Sequence, residues 1–89
     1  MRRVHLSASG RVQGVFFRAS ARDEARRLGL SGWARNTAQG TVDVEVQGDE
    51  DAVERFVEFC RAGPGHAEVA ALSVDTLPAV DGEEGFTIR

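Results

Sequence analysis

Residues Thr41 to Gln47 alternate without a break. Val42, Val44 and Val46 take one side, and Thr41, Asp43, Glu45 and Gln47 take the other. Successive side chains of a strand point to opposite faces, so this segment has one apolar and one polar face. Such a strand belongs to a sheet covered on one side only. That constrains the rest of the chain: its helices must gather on a single face of an open sheet.

The flanking patterns supply the other elements. Arg3 to Ser9 alternates in the same way, with Val4, Leu6 and Ala8 on one face and Arg3, His5, Ser7 and Ser9 on the other. From about Val15 to Leu28 the period becomes helical. Phe17, Ala21, Ala25 and Leu28 form one apolar stripe, with Asp23 and Arg27 as an outward i,i+4 pair and Gly29 as terminator. Leu30 to Thr37 is a strand carrying Trp33, and Ala38-Gln39-Gly40 turns it into Thr41–Gln47 as an antiparallel hairpin.

Asp49 is a suitable N-cap for a second helix, in which Val53, Phe56, Val57 and Cys60 recur at i, i+3, i+4 and i+7. Gly63-Pro64 stops it. Glu68 to Thr76 is a fourth strand, with Val69, Ala71 and Ser73 on one face and Leu72 and Val74 on the other. A loop over Pro78 to Glu84 leads to a short terminal strand with Phe86 and Ile88.

The order is β-α-β-β-α-β with a last short strand. Right-handed crossovers place both helices on one face of an antiparallel sheet, an α+β ferredoxin-like α/β sandwich. The expected core is Val4, Leu6, Phe17, Ala21, Leu28, Val42, Val44, Val46, Phe56 and Val57. At 89 residues the chain is read as one domain, 1–89.

Composition removes several functions. The net charge is −3, so there is no overall basic field for nucleic acid. RNA-recognition motifs share this element order, but they display aromatics on the open face, where this third strand shows Thr41, Asp43, Glu45 and Gln47. All 11 basic residues are arginine, which excludes lysine Schiff-base chemistry. Cys60 is the one cysteine, so no intramolecular disulfide forms, and the expected location is the cytoplasm. There is no continuous apolar run for a membrane. No cluster has metal-ligand spacing, and neither a metal nor a cofactor is expected.

Chemistry concentrates at Gly10-Arg11-Val12-Gln13-Gly14-Val15-Phe16-Phe17-Arg18, between the first strand and the first helix. Glycines, exposed N–H groups, a helix N-terminus and a fixed positive charge together suit an anion. Gly14 takes a positive φ or lets a ligand approach the backbone closely. N–H donors from Gln13 to Arg18 would converge on phosphoryl oxygens, with the Arg18 guanidinium holding two of them. No protein nucleophile is evident: Cys60 lies on an apolar stripe, and His5 and His66 have no evident partner. Weakly activated water suffices when the leaving group is good, as in a carboxylic–phosphoric anhydride. Asn36, before the hairpin turn, is the candidate to orient that water. On spacing alone the same residues also fit a tight turn, a solvated arginine and ordinary turn chemistry.

Gly10 to Arg18 resembles the first signature of the acylphosphatases almost residue for residue. Gly32-Trp33-Ala34-Arg35-Asn36-Thr37-Ala38-Gln39-Gly40-Thr41-Val42 resembles the second, with Ala34 and Gln39 as departures. Gly63-Pro64 and Phe86-Thr87-Ile88 also fit, so the resemblance spans the chain. It implies hydrolysis of small acyl phosphates to a carboxylate and phosphate, without metal or cofactor. It places the phosphate-binding arginine on Arg18, the water-orienting asparagine on Asn36, and the phosphate loop on Gln13, Gly14, Val15, Phe16 and Phe17. The expected partners are a small acyl phosphate, with inorganic phosphate or sulfate as site ligand, and the expected state is a monomer. A module that binds phosphate, sulfate or carbamoyl phosphate without hydrolysis is the alternative.

Overall fold

A computed structural model describes residues Met1–Arg89. The elements are β1 (Arg2–Arg11), α1 (Phe17–Arg27), β2 (Ser31–Asn36), β3 (Val42–Gly48), α2 (Glu50–Ala62), β4 (Glu68–Leu77) and β5 (Phe86–Ile88). They build one five-stranded sheet in the order β4-β1-β3-β2-β5. β3 lies between β1 and β2, and β1 lies between β3 and β4. Each helix therefore crosses over one intervening strand, as a split βαβ unit requires.

The alternation of β1 and β3 sets the layers. Their pairing registers Val4 with Val46, Leu6 with Val44 and Ala8 with Val42. All six side chains are buried beneath the helices. Phe17, Ala21 and Ala25 of α1, with Val53, Phe56, Val57 and Cys60 of α2, close the core from above. Phe56 meets Phe86 with ring centroids 6.0 Å apart. The expected core is buried except Leu28, which lies just beyond α1 and is only partly covered.

Four local expectations are corrected. α1 begins at Phe17 rather than near Val15, because Phe16 at its N-cap has φ 64, which a helix cannot continue through. Arg27 pairs with Glu24 at 2.6 Å, not with Asp23, which takes Arg22 instead. Asp49 occupies the N-cap of α2, but its side chain accepts no bond from the first turn. In β4, Val69 packs on the core together with Leu72 and Val74. A bulge pairs Ser9 with Ala71 but Gly10 with Val69, and this extra residue moves Val69 to the other face.

The sheet is also mixed rather than wholly antiparallel. β5 pairs parallel to β2, Gly32 with Phe86 and Ala34 with Ile88. β4, on the opposite edge, finishes at the same end of the sheet at which β2 begins. The Pro78–Gly85 connection crosses that end, so β5 enters in the direction of β2.

The polar face is not left fully open. The 78–85 connection folds over its lower end, and Arg3 becomes 3% exposed and Gln47 4%. Gln47 exchanges two hydrogen bonds with Val80, donating at 2.7 Å and accepting at 2.8 Å. Arg3 reaches Glu45 at 2.9 Å and Glu83 at 2.8 Å. Elsewhere on this face, the guanidinium groups of Arg35 and Arg89 both lie over the Trp33 ring, 5.2 and 4.7 Å from its centroid.

Cys60 is fully buried. Burial, with a smaller contribution from Glu24, pushes its thiol up to about 12. Because the thiolate is the reactive form, iodoacetamide at pH 8 should leave the folded protein unmodified and label it only in denaturant. Mass spectrometry with and without urea checks this.

Candidate active site

β1 delivers the chain to the loop through two conformations that only certain residues permit. At Gly10, φ is 114 and an added Cβ would sit 2.4 Å from the Glu68 carbonyl oxygen. The pairing of β1 with β3 ends at Ala8, while beyond the bulge β1 stays paired with β4 as far as Arg11 before entering the loop. At Gly14, φ is 73 with open space around it, so the glycine serves the backbone conformation rather than a close contact with protein. Phe16 is the one non-glycine residue with positive φ. For an L-residue that conformation costs roughly 1–2 kcal/mol.

This geometry leaves a run of backbone donors unused. In the loop and the first turn of α1, the first amide to find a backbone acceptor is that of Ser20, which donates to the Phe16 carbonyl at 3.0 Å. The N–H groups from Gln13 to Ala19 have none. Those of Phe17 to Ala19 are orphaned by helix geometry, and those before them by the turn. The positive end of the α1 dipole lies in the same place.

The neighbouring hairpin turn is fixed against the loop. Gln13 donates from Nε2 to the carbonyls of Thr37 at 3.0 Å and Thr41 at 2.9 Å. Thr37 and Thr41 are joined by a backbone bond of 2.9 Å and a hydroxyl contact of 2.7 Å. Asn36, the last residue of β2, is thereby held at the edge of the loop. One cavity of about 280 Å³ results, lined by Val12, Gly14, Phe16, Phe17, Arg18, Ala19, Asn36 and Ile88. Arg18 is half-buried there and has no carboxylate within salt-bridge distance.

Gly14, Phe16, Phe17, Arg18 and Asn36 thus come together around one cavity. Val15 is buried under the loop, and the Gln13 side chain is spent on the hairpin turn; neither lines the cavity. Ile88 is a lining residue that the sequence pattern does not mark, because it reaches the site only through the parallel pairing of β5. His5 lies away from the cavity, on the polar face, between Glu45 at 3.3 Å and Asp43 at 3.6 Å. A larger cavity of about 530 Å³ sits at the opposite end of the sheet, beside Leu30 and the 80–85 segment. Two of its charged side chains are occupied: Arg26 donates to the Phe86 carbonyl and Glu83 accepts from Arg3.

The chain as a whole resembles known proteins. Residues 4–88 match the acylphosphatase family model. The chain belongs to the acylphosphatase family. It is 48% identical over 88 residues to an acylphosphatase of Rubrobacter xylanophilus, covering 99% of this chain and 80% of that protein. An acylphosphatase of Aeropyrum pernix is 50% identical over 88 residues, covering 98% and 87%. The crystal structure of the Bacillus subtilis acylphosphatase superposes with a TM-score of 0.95 at 34% identity, over 100% of this chain and 99% of that one. Acylphosphatases are hydrolases that act on acyl phosphates, and this chain has their ferredoxin-like fold. None of its helices is long and apolar enough to cross a membrane.

Proposed function

We propose that the Gln13–Arg18 loop binds the phosphoryl group of a small acyl phosphate and that Asn36 orients the water that attacks it. One observation supports this reading: Gly14, Phe16, Phe17 and Arg18, whose backbone N–H groups have no backbone acceptor, line one cavity together with Asn36. The N–H groups from Gln13 to Phe17 would meet the phosphoryl oxygens as an anion-binding concavity. Arg18 would take two of those oxygens at once and offset charge as the phosphorus–oxygen bond breaks. The leaving carboxylate needs no proton at neutral pH, since its pKa is about 4. Water held by an amide therefore suffices, without a stronger base.

A structural relative supports phosphate as a ligand. Full-length HypF, in its phosphate- and nucleotide-bound form, matches with a TM-score of 0.88 at 26% identity, over 99% of this chain and 12% of that one. The single buried cysteine supports a reducing compartment such as the cytoplasm as the place of action. The proposed working unit is the monomer, since the loop, Arg18 and Asn36 all come from one chain.

The test is hydrolysis of benzoyl phosphate by the pure protein, with and without EDTA. Rapid turnover that survives the chelator is expected. A folded protein that binds phosphate but turns nothing over would make the loop a receptor instead. Asn36→Ala should lower kcat on the order of 100-fold with little change in KM, since the amide acts on water rather than on the phosphoryl group. A change confined to KM would place Asn36 in substrate binding.

A further inference from the structure

Phe16 is a conspicuous residue for its position. It is the only non-glycine residue with positive φ, and it is 74% exposed. The backbone conformation shapes the loop, but the exposed ring serves neither burial nor capping, which leaves the side chain free to act where it stands. That place is the cavity it shares with Gly14, Arg18 and Asn36.

Within the shared cavity, Phe16 is on the β4 side of the loop and Asn36 on the β2 side. Phe16 leans toward the turn between α2 and β4: a Cβ on Gly65 would lie 3.9 Å from the Phe16 Cβ and 2.9 Å from the Val15 carbonyl oxygen. β4 flanks β1 on one side. Asn36 belongs to β2, which lies beyond β3 on the other side, with Ile88 of β5 paired alongside at Ala34.

Phosphoryl transfer places the entering and leaving oxygens roughly in line through phosphorus. This inference rests on the reading in which the loop holds that phosphorus and Asn36 holds the water. The acyl group must then depart on the side away from Asn36, where Phe16 stands. We propose that Phe16 is the specificity-determining residue of the site, its ring forming the platform for the acyl group and favouring acyl phosphates with an aromatic or bulky apolar acyl part. An exposed aromatic face suits an aryl group by offset stacking and apolar burial. Ile88, on the water side, does not touch the acyl group and serves as the control.

Calorimetric titration with two non-hydrolysable isosteres tests the assignment without depending on turnover. Phenacylphosphonate and acetonylphosphonate each carry a methylene in place of the bridging oxygen, and differ only in a phenyl against a methyl. Inorganic phosphate, titrated separately, reports the loop itself. The wild-type protein should bind phenacylphosphonate about tenfold more tightly than acetonylphosphonate, or ~1.4 kcal/mol. In Phe16→Asn, chosen because asparagine tolerates the left-handed conformation, the two should bind about equally. Phe16→Leu should fall between, and Ile88→Ala should keep the tenfold preference. Equal affinities in the wild type, a preference that survives Phe16→Asn, or one lost in Ile88→Ala overturns the proposal, while phosphate binding leaves the phosphoryl site standing. Failure of all three ligands to bind the wild type overturns both.

Discussion

Arg18→Ala should lower kcat/KM for benzoyl phosphate on the order of a thousandfold. A single preorganised donor to a developing charge is worth roughly 10²–10³ in rate, and a guanidinium on a transferring phosphoryl group 10³–10⁵. Arg18 combines a positive charge with two donors in one plane. It is half-buried with no protein carboxylate to hold it, so it is available to substrate and its removal strands no partner. Stability should therefore change by no more than about 0.5 kcal/mol, as for a surface substitution. Arg18→Lys should recover only part of the activity, because an ammonium cannot reproduce the paired geometry. Steady-state kinetics beside a thermal melt checks both halves. Full turnover in Arg18→Ala would remove this residue from the phosphoryl site.

The largest expected effect on stability comes from the opposite end of the sheet. Arg3→Leu should destabilise the fold by about 3 kcal/mol, because removing one partner of a buried ion cluster leaves the others uncompensated. Arg3 bonds to Glu45, Gln47 and Glu83, and through Glu83 it holds the 78–85 connection against the sheet. For a domain of this size the melting temperature should fall by about 15 °C. A fall of under 4 °C would show that the cluster only breaks even against an apolar side chain.

The same cluster has a signature in acid. Burial pushes the Glu45 carboxyl up, but hydrogen bonds from Arg3 and His5, with their charges, outweigh this and leave it below 4.5. A carboxyl with a folded pKa below its unfolded value contributes stability that is fully present above about 4.5 and is lost as pH falls through the folded pKa. Urea midpoints for the wild type should therefore drop between pH 5 and pH 3, and more steeply than those for Glu45→Gln. Parallel curves would remove Glu45 from the acid response.

Features set by neighbours in the chain were legible in the sequence. The alternation of Val42, Val44 and Val46 and the stripes of both helices depend only on strand and helix periods, and they locate the core. Gly14 was legible for the same reason: its positive φ is a property of one residue. The two motifs that carry Arg18 and Asn36 were continuous stretches, so each could be recognised as it stood.

Phe16 shows where such reading ends. The helical period read from about Val15 includes it, yet its backbone is left-handed and the residue is exposed. The bulge opposite Gly10 is equally hidden, since Ala70 is an extra residue only in relation to β1. Periodicity has no means of registering a partner strand.

By itself, the sequence determined the order of elements, the one-sided sheet, most of the core and the two segments that meet at the site. Each follows from side-chain periods, backbone preferences or a contiguous motif. The tertiary structure alone decided the parallel placement of β5, the burial of Arg3 under a segment some 80 residues away, and the grip of Gln13 on the hairpin turn that brings Asn36 to the loop. Those depend on which groups become neighbours after the chain has closed on itself. A hydrogen bond between residues distant in the chain leaves no local pattern by which to read it.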